Sequence, residues 1–71
     1  MTGEEWVSAF AAEIGVAPPT QEQMDEILKL AAIAAHASER IAAPIACYLV
    51  GTSGRSLAEA RETAKGLAKG G

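Results

Sequence analysis

Apolar residues recur at helical spacing in four segments of the chain, and three of the segments open with a capping signal. Thr2, Thr20 and Ser56 are each followed three residues later by Glu or Gln, as in a capping box. In a capping box the hydroxyl accepts from a free amide of the first turn, while the longer side chain reaches back to the N-cap amide. The pattern predicts helices over approximately residues 3–14, 21–39, 44–51 and 57–68.

The predicted fold class is all-α: a single small four-helix bundle domain over residues 1–71, with short loops and largely antiparallel neighbours. Helix 21–39 is apolar over most of its circumference and is expected to be central. Helix 44–51 is apolar on every side and is expected to be the most buried helix, at the centre of the fold. Trp6 and Phe10 are expected to close one end of the core.

Glycines and prolines predict where the helices stop. Gly15 is expected to end the first helix, and residues 51–54 (Gly-Thr-Ser-Gly) read as a loop. Pro44 suits the first turn of a helix because its missing N–H has no intrahelical partner there. Ala43, which precedes this proline, is expected to be extended.

Composition and charge exclude several classes of protein. With 71 residues, 49% of them hydrophobic, the chain is neither disordered nor large enough for a layered α/β enzyme with a deep cleft. The net charge of −3 argues against nucleic-acid binding. The longest apolar run, residues 41–50, is far shorter than the roughly 20 residues that span a bilayer. The start of the chain is acidic, unlike a signal peptide, so a cytoplasmic protein without membrane contact is expected.

The charges divide unevenly along the chain. Residues 1–39 hold seven acidic residues and one Lys, a net of −6, whereas residues 40–71 hold five basic and two acidic residues, a net of +3. The two halves could attract each other within one fold or between two copies. Pairing within one chain is the favoured alternative, and a homo-oligomer is the other.

Few side chains in the sequence indicate a catalytic, metal-binding or ligand-binding site. Cys47 is the lone cysteine, expected to be a buried small hydrophobe, and no spacing suggests a metal site or a cofactor. His36 and Arg40 are four residues apart and share a polar wedge with Lys29, which could bind an anion or a partner beside the next helix. Alternatively, Arg40 interacts with the last carbonyls of its own helix and His36 lies on a solvated face. No nucleophile is placed beside His36, so no enzyme activity is expected.

The central string from His36 to Gly51, together with an N-terminal Trp6, resembles a small bacterial helical domain of unknown function. That family occurs alone or fused to molybdenum-cofactor guanylyltransferases. The residues that carry the resemblance are Trp6, His36, Arg40, Ala43, Pro44, Leu49 and Gly51. The resemblance implies an association with molybdopterin-guanine dinucleotide synthesis and names no reaction.

Two hypotheses about function follow. The first is a non-catalytic accessory domain that binds a molybdenum-cofactor guanylyltransferase, or an anionic ligand, through Lys29, His36 and Arg40. The second is a structural homo-oligomer that joins the acidic half of one chain to the basic half of another. A small enzyme built around His36 is the weakest alternative.

Overall fold

The computed structural model describes residues 1–70, and this part of the chain contains four helices and no strand. The helices are α1 (Gly3–Ile14), α2 (Gln21–Ala37), α3 (Ala42–Ser53) and α4 (Leu57–Gly70). The predicted all-α, four-helix fold is therefore confirmed.

Side-chain caps hold the starts of three helices. At Thr2 and Thr20 both capping-box bonds are present: the Glu5 and Gln23 amides each donate to a threonine hydroxyl over 3.1 Å, and both side chains return to the N-cap amide. At Ser56 the hydroxyl accepts from an amide in the same way, but it then donates to the carboxylate of Glu59 itself. Each predicted capping residue thus lies at a helix start.

Helix α2 is central, as predicted, because it packs extensively against both α3 and α4, while the other helix pairs of residues 1–70 have only marginal contact. Among the large side chains of residues 1–70, Leu30 alone is buried, with 3% of it exposed. An ion pair between Glu26 and Arg61, with Oε2 and Nε 2.6 Å apart, joins α2 to α4. This contact links the acidic half of the chain to the basic half.

The junction between α2 and α3 differs from the prediction. Helix α2 ends at Ala37, two residues early, because Ser38 leaves helical geometry and its hydroxyl donates to the Ala34 carbonyl over 3.0 Å. Helix α3 begins at Ala42, so Pro44 occupies the third position and Ala43 is helical rather than extended. Proline is tolerated there because the first four amides of a helix have no intrahelical partner.

Helix α3 also continues through three of the four residues that were predicted to form a loop. The hydroxyls of Thr52 and Ser53 donate back to the carbonyls of Leu49 and Val50, a bond that helical backbone allows. Gly54 then ends the helix with φ +76°, and Gly15 ends α1 with φ +78°. Both glycines adopt the left-handed conformation that other residues avoid.

The molecule exposes more surface than its size requires. Its accessible area is 5370 Å², whereas a monomer of this mass typically exposes about 4,200 Å². Its radius of gyration is 12.8 Å, against about 11 Å for a typical domain of this length. Within residues 1–70 only Ala11 and Leu30 are buried. The core is thin, and much apolar surface remains outside it.

Candidate docking surface

Helix α3 directs mostly small apolar side chains inward and its largest ones outward. Its half-buried residues are Ala42, Ala43, Ala46, Cys47 and Val50. Its large exposed residues, which we call the α3 face, are Ile41, Ile45, Tyr48 and Leu49, between 56% and 71% exposed. The prediction that this helix is central and the most buried is wrong, since it has no buried residue and packs closely against α2 alone.

Helix α1 carries a second exposed apolar surface. Trp6 and Phe10 stack with their ring centroids 5.1 Å apart and their planes at 15°. With Ile14 they form what we call the α1 stripe, in which each side chain is about half exposed. Val7 and Ala11, on the neighbouring face of the helix, are the half-buried and buried residues of α1. The prediction that Trp6 and Phe10 close one end of the core is therefore wrong.

The chain segments that carry these two apolar surfaces have charges of opposite sign. Residues 1–19 contain Glu4, Glu5, Glu13 and no basic side chain, while residues 40–56 contain Arg40, Arg55 and no acidic one. None of these five side chains forms an ion pair within residues 1–70. The hydrogen bonds of Glu5 in the capping box, chiefly with the Thr2 amide, lower the pKa of its carboxyl.

Two residues of the predicted basic wedge lie on α2, and the third lies beyond the end of that helix. Lys29 is exposed on α2, with its Nζ 3.9 Å from Oε1 of Glu26. His36 lies in the last turn of α2, but Arg40 lies beyond the end of that helix. The expected helical i,i+4 relation between His36 and Arg40 is therefore wrong, because the chain has already turned at Ser38. Arg40 instead directly precedes the α3 face.

His36 and Cys47 line different grooves. His36 borders an open groove of about 680 Å³ between α2 and α4, together with Glu62, Lys65 and Lys69. Cys47 is half-buried rather than buried and borders an apolar groove of about 310 Å³ beside Leu30. Partial burial raises the pKa of the Cys47 thiol, which disfavours the reactive thiolate. The two side chains are thus not arranged as a nucleophile and its base.

Two further observations describe residues 1–70. They contain no cluster of three or more His, Cys, Asp or Glu side chains with the geometry to hold a metal ion. None of the helices in this part of the chain has both the length and the apolar character needed to cross a membrane.

The sequence analysis did not predict that the α3 face and the α1 stripe are exposed surfaces. The sequence does contain a signal for the α3 face. Around α3 the large residues recur at positions 41, 45, 48 and 49, while small ones occupy 42, 43, 46 and 47. In a helix with this separation, the face of small residues can pack closely against a neighbouring helix, while the face of large residues is left exposed. Uniform hydrophobicity hides this difference, whereas side-chain volume reveals it.

Comparison with known proteins places the chain in a family. No significant match was found to a curated protein or to a solved structure. A family model described as "Domain of unknown function (DUF6457)" matches residues 1–70, nearly the whole chain. The chain therefore belongs to this family of small domains of unknown function.

Proposed function

We propose that this protein is a non-catalytic interaction domain, which binds a partner protein through the α3 face. The observation that supports the proposal is the orientation of α3, whose largest apolar side chains are each more than half exposed. Contiguous exposed apolar surface of this kind is typical of protein-binding sites. Tyr48, 71% exposed, offers the large side chain with a polar tip that interface centres favour.

The partner that the resemblance implies is a molybdenum-cofactor guanylyltransferase, for which the domain would be an accessory module. The α3 face has Arg40 at its start and Arg55 shortly after its end. A complementary surface would be apolar at its centre and acidic at its rim. The basic wedge of Lys29, His36 and Arg40 is the alternative docking surface, and Arg40 is common to both.

The experiment that tests the proposal is calorimetric titration of a purified molybdenum-cofactor guanylyltransferase with three variants of the domain. The variant Ile45→Ser with Tyr48→Ser removes the α3 face, and we expect at least about 30-fold weaker binding because central aromatic anchors dominate interfaces. The variant Lys29→Ala with His36→Ala tests the wedge without touching the face. Leu67→Ser, at an exposed position of α4, is the matched control.

Each result has a direct reading. Weakening by the α3 variant alone supports the proposed surface, and weakening by the wedge variant alone assigns binding to the wedge instead. Absence of binding by the unmodified domain refutes the guanylyltransferase as partner.

A structural homo-oligomer is the second candidate function. It is favoured by the charge division, since a single ion pair within residues 1–70, Glu26 with Arg61, connects the acidic and basic halves of the chain. The intramolecular attraction between the halves therefore leaves most of their charge uncompensated.

A further inference from the structure

The α1 stripe requires a cover that this chain does not supply to itself. Helix α1 makes no extensive contact with another helix within residues 1–70, and the three side chains of the stripe are 49–57% exposed. Because Trp6, Phe10 and Ile14 are each about half exposed, the single chain forgoes much of the stabilisation that complete burial of these side chains would contribute. The stripe thus has a strong tendency to pack against another apolar surface.

Among the exposed apolar surfaces of residues 1–70, the α3 face matches the stripe best. The stripe is formed by an acidic segment with no basic residue, and the face lies between Arg40 and Arg55 in a segment with no acidic residue. Packing the two together would bring opposite charges to the rim of an apolar contact. Packing two stripes together would instead bring Glu13 of each copy into a shared acidic surface, and pairing two faces would do the same with arginines.

The surface area is sufficient for such a contact. The accessible area of 5370 Å² exceeds that of a typical monomer of this mass by about 1,200 Å². A stable interface of standard size buries about 800 Å² on each partner. Covering both the stripe and the face of one copy is therefore compatible with the area that the fold leaves exposed.

We infer that the occupant of the α3 face in the isolated protein is the α1 stripe of a second copy. The inference rests on the proposed function, since it uses the same docking face. If each copy gives its stripe to the face of the other, the contact is two-fold symmetric and closed, whereas one-way exchange would produce an open chain of molecules. The product is a dimer held by two identical stripe–face contacts.

Two matched variants test the pairing. One removes the stripe (Trp6→Ser with Phe10→Ser) and the other removes the face (Ile45→Ser with Tyr48→Ser). All four side chains are exposed, so helix content measured by circular dichroism should be preserved. Sedimentation velocity should give twice the 7.3 kDa chain mass for the unmodified protein. Each variant alone should dissociate at least about 30-fold more readily, and the control Leu67→Ser should not.

Mixing the two variants separates stripe–face pairing from stripe–stripe and face–face pairing. The face variant retains an intact stripe, and the stripe variant retains an intact face, so one stripe–face contact can form between them. Trp6 is the sole tryptophan of the chain and is absent from the stripe variant. Fluorescence of the mixture therefore reports only the stripe of the face variant, and its emission should shift to the blue as the stripe variant is added.

The outcomes are decisive. A blue shift that saturates, with appearance of the mixed dimer, supports the inference. No shift, with one variant remaining dimeric alone, means that stripe pairs with stripe or face with face, and overturns it. An unmodified chain that stays monomeric to several hundred micromolar also overturns it. Monomers that nevertheless bind the guanylyltransferase would refute this inference alone, whereas dimers that do not bind it would refute only the proposed partner.

Discussion

Leu30 should contribute more to the stability of this fold than any other single apolar side chain. It is 3% exposed and lies on α2, the helix that packs against both α3 and α4. Leu→Ala substitutions in cores cost about 2–5 kcal/mol, and the cost is lowest where the surroundings can relax into the space. An open apolar groove of about 310 Å³ already adjoins Leu30, and its lining includes Val50 and Leu57. We therefore expect Leu30→Ala to cost about 2–3 kcal/mol.

The same helix supplies a matched control. Leu28 lies two residues from Leu30 and is 67% exposed, so Leu28→Ala removes the same atoms from a position that buries little of them. Its cost should be below about 0.5 kcal/mol. Both variants should be compared with the unmodified protein at one protein concentration, because self-association would otherwise contribute to the difference.

Urea unfolding followed by circular dichroism measures both costs. A domain of 71 residues has a total stability of about 4–10 kcal/mol, so the Leu30 variant should lose a large share of it. Its melting temperature should fall by roughly 10–20 °C. Equal losses for the two variants would refute the assignment of the core to the centre of α2, and a larger loss for Leu28→Ala would place the core on the opposite side of that helix.

Three further predictions concern the local interactions of the fold. A double-mutant cycle of Glu26→Ala and Arg61→Ala should give a coupling free energy of about 1–2 kcal/mol, because the pair is short and both side chains are only 23% exposed; a coupling near zero would contradict a stabilising link between α2 and α4. Gly54→Ala should destabilise by about 1 kcal/mol because its φ is +76°, whereas Gly51→Ala, which adds the same methyl group within α3 in open space, should stabilise by about 0.5–1 kcal/mol in thermal unfolding. The pKa of the Glu5 carboxyl is lower in the folded chain. The stabilising effect of the Glu5 carboxylate is therefore fully present above about pH 4.3 and is lost as the pH falls through the lowered pKa. An NMR titration of the Glu5 side chain checks this, and an unshifted midpoint would contradict the capping-box geometry.

The parts of the fold that the sequence predicted correctly are those governed by neighbouring residues. Thr2 and Thr20 cap helices because a hydroxyl and a residue three positions later satisfy free amides, whatever the rest of the chain does. Gly15 ends α1 because a left-handed residue is needed there. Local geometry alone decides these features, so a local pattern is enough to predict them.

The errors concern features that depend on distant residues. A helix that is apolar all round, such as α3, is buried only if other helices surround it, and the number of its neighbours is a property of the whole fold. Similarly, Arg40 was predicted to lie beside His36 on the same helix. That helix ends at Ala37, where the Ser38 hydroxyl donates to the Ala34 carbonyl, so Arg40 lies outside it. The candidate surface changed accordingly from a polar wedge on α2 to an apolar face on α3.

The division of side-chain volume around α3 connects stability with binding. Alanines on the inward side allow α3 to approach α2 closely, but burial of an alanine contributes far less than burial of an isoleucine or a tyrosine. Most of the apolar area of α3 therefore stabilises nothing in the single chain and would do so only in a complex. A partner that covers Ile45 and Tyr48 would add its binding free energy to the stability of a fold whose own core is thin. A guanylyltransferase and a second copy of the chain would stabilise the domain in the same way, and they differ only in the surface that covers these two side chains.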